Sequence, residues 1–341
     1  MFRIAFPLGL ALALSAGSAA AQPDTSVAAA TASTILPQVA DPAAGAAPAD
    51  IALTPLDSRM TVPVTIGAAG PYAFIIDTGA ERTVVSRELA GRLALASGKP
   101  VRLTAMSGTS IVDTVTLPAF GMNPIDRRLA IEAPALAERH IGGPGLIGLD
   151  ALADHRLIIN LEQNSMRVDP SVRRRRGSAA APGEIVVTAK NKSGQLILSE
   201  AFFDGRRVRV VLDTGSTVTV GNAAFRRHVA RAIRRPFQPL TLTSVTGGVT
   251  EAEYARVDEL KVGGVIFKGL PVAFADVAPF KRLGLERQPA LMLGMDAITV
   301  FRRVDIDFPN REVRFLLPRT TDFACRTAAC QPTSWRLKTN S

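Results

Sequence analysis

The chain of 341 residues contains two cysteines and three histidines, His140, His155 and His228, which are far apart in sequence. So few thiols exclude a disulfide-framed scaffold and a four-thiolate zinc centre, and the scattered imidazoles give no metal-ligand spacing. No metal or other cofactor is therefore expected. Aromatic residues make up only 5% of the chain, too few for the stacking platforms of a single-stranded nucleic-acid binder, and no nucleic-acid motif accompanies them. Apolar runs long enough to span a bilayer are missing too, so no transmembrane segment is expected. What the chain has is 47% apolar and 21% charged residues, enough to bury two ordinary cores and too apolar for a fully disordered protein.

The formal net charge is +10, but it is unevenly spread. The first half is close to neutral, and the excess lies in the run Arg173-Arg174-Arg175-Arg176, in the second half and in the tail. Such a distribution fits contact with an anionic envelope surface or an acidic partner, and fits ordinary solubility equally well.

At the N-terminus, Met1-Phe2-Arg3 is followed by an apolar run from Ile4 to about Ala16 and then by Ala19-Ala20-Ala21. One positive charge, a short hydrophobic region and an Ala-x-Ala site are the features of a secretory signal, so residues 1–21 are expected to be removed on export to the periplasm or beyond. Residues 22–53, rich in Ala, Pro, Thr and Ser, have little to bury and read as a tether. The Arg-rich stretch at 171–184 reads as an exposed linker between a first folded segment, 54–170, and a second, 185–318, with a tail at 319–341. In an oxidising compartment, Cys325 and Cys330 in that tail would close a small disulfide loop.

The two segments repeat each other. Phe74-Ile75-Ile76-Asp77-Thr78-Gly79-Ala80 is matched by Val210-Val211-Leu212-Asp213-Thr214-Gly215-Ser216. Further on, Thr104 to Thr109 is matched by Thr243 to Gly248, Leu146-Ile147-Gly148-Leu149-Asp150 by Met292-Leu293-Gly294-Met295-Asp296, and Arg156 to Val168 by Arg303 to Phe315. Four blocks in the same order mark a duplication. Each copy is β-rich, with short apolar runs bounded by Gly, Pro, Asn or Asp, such as Met60 to Ile66, Ile111 to Leu117 and Gln195 to Phe203. One helix per copy is expected, at Arg87 to Ala96 and Ala223 to Ile233, with Ser86 and Asn222 as N-caps. Asp150 and Asp296 are expected to cap short turns.

An Asp-Thr-Gly placed after three apolar residues brings a carboxylate out of the core at a strand end. The glycine permits a tight turn, and the threonine offers a hydroxyl to the facing loop. One such triplet also makes an ordinary turn. Two of them in a duplicated frame resemble the retropepsin-like aspartic proteases, in a bacterial exported form with two domains in one chain.

The resemblance covers about residues 54–318 and implies a mainly β fold, with two tandem closed barrels forming a pseudo-two-fold bilobal unit. It implies a catalytic pair, Asp77 and Asp213, supported by the loop residues Thr78, Gly79, Ala80, Thr214, Gly215 and Ser216. It further implies strands carrying Gly148 and Gly294 beside those loops, and closing flaps around Ser107 and Gly108 and around Gly247 and Gly248. Neither flap carries the tyrosine of pepsin-type enzymes, since Tyr72 and Tyr254 lie elsewhere.

Two adjacent carboxyls share a proton, so the pair would activate water without a metal or a covalent intermediate, and hydrolyse a peptide or protein substrate. A Ser216 hydroxyl reaching Asp213 would favour that residue's charged form. Two other readings are a non-catalytic peptide-binding module on the same fold, and an enzyme whose sites form only between two molecules. A monomer with an internal pseudo-dimer is the expectation.

Overall fold

The computed structural model describes residues 51–52, 54–56, 59–122, 125–127, 130–174, 180–318 and 336–339. The signal and nearly all of the tether, Arg175 and Arg176 of the basic run, and the Cys325/Cys330 loop lie outside the described residues.

The protein is mainly β and the duplication is visible strand by strand. In the first repeat, Arg59–Ile66 pairs antiparallel with Ala69–Ile76, the strand that ends at Asp77. Gly145–Ile147 then inserts between Ala69–Ile76, which it meets in parallel, and Val84–Ser86, which it meets antiparallel. The second repeat copies this arrangement. Gln195–Phe203 pairs with Arg206–Leu212, and Ala290–Leu293 lies parallel to the latter and antiparallel to Val220–Gly221. These inserted strands are buried on both sides and carry no polar side chain, which is why they read as unbroken apolar runs rather than alternating ones.

In the second repeat the barrel closes, because Gln195–Phe203 also pairs with the long strand Val249–Val262 through Ala201 and Phe202. The corresponding sheet of the first repeat is nearly closed, running from Ile125–Arg127 to Thr114–Leu117.

The repeats are joined beneath the barrels. The hairpin His155–Asn160/Ser165–Pro170 pairs with Arg303–Asp307/Glu312–Leu316 across the seam, with Arg156 opposite Asp307 and Asn160 opposite Arg303. Ile51–Ala52 and Glu184–Lys192 extend the two outer edges, so six strands form one shared sheet. The side chains of Leu157, Ile159, Val168, Ile306 and Phe315 on its inner face are buried in the main apolar core. At about 25 cal/mol per Å2 of apolar surface removed from water, this shared burial is the main force holding the repeats together.

The helices agree with their sequence caps. Ser86 accepts from the Leu89 N–H at 2.9 Å and Asn222 from the Phe225 N–H at 2.8 Å. The first helix, Arg87–Arg92, is shorter than its apolar pattern suggests, because Ala94 turns the chain into the left-handed region at φ 48°. No helix among the described residues is long and apolar enough to cross a membrane.

Candidate active site

Each inserted strand props up one Asp-Thr-Gly loop. The Asp77 N–H donates to the Ile147 carbonyl and the Asp213 N–H to the Leu293 carbonyl, both at 3.0 Å. Within each loop the aspartate carboxylate accepts two backbone N–H groups: Gly79 and Ala80 at 2.8 and 3.0 Å for Asp77, Gly215 and Ser216 both at 3.1 Å for Asp213. These bonds fix one oxygen of each carboxylate and aim the group at the opposite loop.

The threonines interlock the two loops. The Thr78 N–H donates to Thr214 Oγ1 at 3.1 Å, and the Thr214 N–H donates to Thr78 Oγ1 at 3.2 Å. Each hydroxyl in turn donates past its partner, Thr78 to the Leu212 carbonyl at 3.0 Å and Thr214 to the Ile76 carbonyl at 2.8 Å. All four groups are buried, so each bond also removes the penalty of an unpaired polar atom.

Close approach explains the glycines. A Cβ on Gly79 would lie 2.7 Å from the Asp213 carboxyl carbon, and one on Gly215 would lie 2.2 Å from that of Asp77. The two carboxyls thus meet at the seam between the repeats.

Burial pushes the Asp77 carboxyl above the usual range, opposed by the Gly79 and Ala80 N–H groups and by the Arg59 charge. Asp213 is pushed up to about 8, first by burial and then by the negative charge of Asp77. The pair is therefore polarised, with Asp213 the protonated donor and Asp77 the acceptor. Ser216 has no part in this through its side chain: its hydroxyl donates to the Val218 carbonyl at 2.8 Å, away from Asp213. Arg59, a cation beside Asp77, adds to the lowering of that carboxyl, and its place in the second repeat is taken by the neutral Gln195.

Asp150 and Asp296 do not cap their short helices, whose N-caps are Gly148 and Gly294 without a side-chain bond, but serve the site instead. Asp150 Oδ1 accepts from the Thr83 N–H at 2.9 Å and from its hydroxyl at 2.7 Å, while Asp296 accepts the same two groups of Thr219 at 3.0 and 2.7 Å. The threonine oxygens then accept the Gly148 and Gly294 N–H groups at 3.3 and 3.1 Å. Each inserted strand is thereby tied to the chain leaving its Asp-Thr-Gly loop. Sequence reasoning missed Thr83 and Thr219, although the signal was present: both stand six residues after the aspartate in the aligned repeats.

Two further residues were missed because their neighbours are distant in sequence. Gln195 is 5% exposed and its amide donates to the Gly79 carbonyl, crossing from the second repeat to the first loop. Arg59 Nη1 donates to the Ile141 carbonyl at 2.8 Å.

The flap residues form hairpin tips. Ser107 closes the turn between Val101–Ala105 and Gly108–Val112, and Gly247 and Gly248 lie between Gln238–Thr243 and Val249–Val262. The tips meet, with Ser107 Oγ and Thr246 Oγ1 3.4 Å apart. Each also crosses over. Met106 packs on the second repeat's cluster around Val211, Phe280 and Met292, and Val245 packs on the first repeat's cluster around Ile75, Ile141 and Leu146. Among the described residues no group of His, Cys, Asp and Glu is placed to hold a metal ion.

A family model described as aspartyl protease matches residues 62–151 and again residues 200–297. No match is found among curated proteins.

Proposed function

Because the chain belongs to the aspartyl protease family, we propose that it is an aspartic endopeptidase with one active site, assembled from Asp77 and Asp213 of a single polypeptide. The observation that carries this reading is the reciprocal threonine lock, which holds the two carboxyls face to face inside one chain. It favours an intramolecular site over one shared between two copies. A non-catalytic binding module would have no use for two buried carboxyls held in contact at a cost in desolvation.

In this reading Asp77 carries the charge and takes a proton from a bound water, whose oxygen attacks the peptide carbonyl carbon. Asp213 donates its proton to the carbonyl oxygen, giving a tetrahedral diol. Asp77 then gives its newly gained proton to the amide nitrogen while Asp213 takes one from a diol hydroxyl, so that the C–N bond breaks to acid and amine and the singly protonated pair is restored. The hairpin tips at Ser107 and Thr246 would open to admit peptide and close over it.

A peptide-library digest between pH 4 and 7 tests the assignment. Wild type should cleave, while Asp77→Asn and Asp213→Asn should each lose at least about a thousandfold in kcat/KM, as expected when half of a two-group acid–base machine is removed. Full activity in both variants would sink the proposal. Export is part of the same reading, supported by the pattern of residues 1–21. N-terminal sequencing of protein recovered from outside the cytoplasm should begin at Gln22, and a chain retaining Met1 would overturn it.

A further inference from the structure

The shared sheet has an outer face as well as an inner one. Ile159 and Met166 on the inner side pack with Met60, Ile76 and Met295 beneath Thr214. Residues of opposite parity therefore face away from the carboxyl pair. The register sets Arg167, Ile158, Asp305 and Arg314 in one row across the sheet, and Ser165, Asn160 and Arg303 in the next.

The duplication makes the two ends of these rows comparable. Arg156 corresponds to Arg303, Arg167 to Arg314, and Ser165 to Glu312. In the second repeat the guanidinium is clamped: Arg314 lies 3.0 Å from a Glu184 oxygen and 2.9 Å from a Glu312 oxygen, and is 7% exposed. In the first repeat a serine replaces the Glu312 carboxylate. Arg167 meets Asp169 at 3.0 Å on the rim, and its side chain is 41% exposed.

Around it, Arg156, Ile158, Asn160, Ser165, Arg167, Arg303 and Asp305 line a recess of about 160 Å3. Three guanidinium groups line it with one carboxylate, and two more carboxylates reach the same arginines from the rim, Asp169 to Arg167 and Glu184 to Arg303 at 3.1 Å. The lining carboxylate, Asp305, is held by Arg156 and by Arg303 Nε at 2.9 Å, so its charge is already engaged. The Nε of Arg156 is buried and has no hydrogen-bond partner among the described residues.

We propose that this recess binds a phosphate-type oxyanion. The ligand supplies to Arg156 Nε and to the exposed Arg167 the negative oxygens that Glu312 and Glu184 supply to Arg314, with Arg303, already met by Glu184, at the wall of the recess. Planar guanidinium forks suit such an anion, and Asn160 and Ser165 offer neutral donors beside them. Because Arg156 and Arg167 belong to one repeat and Arg303 to the other, the bound anion ties the two hairpins across the seam. It does so on the face away from Asp77 and Asp213, so the site stands independently of the catalytic proposal.

The test titrates inorganic phosphate into the full chain in phosphate-free buffer at constant ionic strength, by calorimetry and thermal unfolding. Saturable binding with a rise in Tm is expected. Arg167→Gln should weaken it about tenfold or more, the loss of one charge-assisted contact. Ser165→Glu installs the carboxylate of the second repeat and should abolish binding while leaving the phosphate-free Tm unchanged or higher, which also shows that this variant folds. Vesicles of phosphatidylcholine with and without phosphatidic acid separate the sources. Co-sedimentation only with phosphatidic acid, lost in Ser165→Glu, identifies a lipid headgroup, whereas phosphate binding without co-sedimentation identifies a free anion. No saturable phosphate binding in wild type, or binding unchanged in both variants, would overturn the site.

Discussion

Burial and the neighbouring Asp77 charge push the Asp213 carboxyl up to about 8 in the folded chain, against an ordinary value of 3.8. A carboxyl whose pKa is raised by folding favours the folded state most below its unfolded pKa, and that contribution is lost as pH rises from 3.8 towards 8. Asp213→Asn removes the ionisation and should therefore melt about 5 °C or more above wild type at pH 7, with the gap closing near pH 3.8. Scanning calorimetry at the two pH values checks this, and a variant less stable than wild type at pH 7 contradicts it. Thr78 should behave in the opposite way. Thr78→Val leaves the Thr214 N–H and the Leu212 carbonyl buried without their partner, at about 1–3 kcal/mol each, and should lose both stability and turnover, read from urea unfolding and peptide cleavage.

At the scale of elements, the contact between the flap tips makes them addressable. Ser107→Cys with Thr246→Cys places two thiols where two hydroxyls now lie 3.4 Å apart. Under oxidation the pair should lock the hairpins together and stop cleavage of long peptides, with activity restored by a reductant. The hairpins themselves were legible in the sequence, because each tip carries a glycine between apolar runs and recurs in the duplicate. Strand ends were legible too where Gly, Asp or Pro punctuates them, and so were both helix N-caps. The interlock was not. That Met106 would pack on the second repeat and Val245 on the first follows from the barrels facing each other, which neither flap's periodicity records. The first helix was overextended for a similar reason, since a left-handed turn at an alanine leaves no local trace.

For the whole molecule, one shared proton sets the working range. The pair is active while it carries a single proton, so activity should span mildly acidic to neutral pH and fall above about 8, where Asp213 ionises beside Asp77. A kcat/KM profile that fell already at pH 5 would argue against the polarised pair. The pseudo-two-fold was readable from the repeated blocks, and with it both aspartates and both supporting loops. The sequence was silent on how far the copies have diverged at their contact. Ser165 and Glu312 already stand as counterparts in the repeated blocks, but only the structure shows Glu312 clamping Arg314, and Arg59 and Gln195 become counterparts only through the strand register.

The seam sheet also governs the order in which the chain can fold. Arg156 faces Asp169 within its own hairpin but Asp307 on the other edge, so during synthesis that outer edge of the first repeat's hairpin must wait for almost the entire second repeat to emerge. Pairing at such sequence separation is slow, and until it happens the 155–160 strand offers an open edge to any other nascent chain. A fragment ending at residue 174 should accordingly aggregate when expressed alone. Supplying residues 180–318 as a separate polypeptide during refolding should rescue it, because the same edge that invites misassembly is the one the second repeat is built to cover.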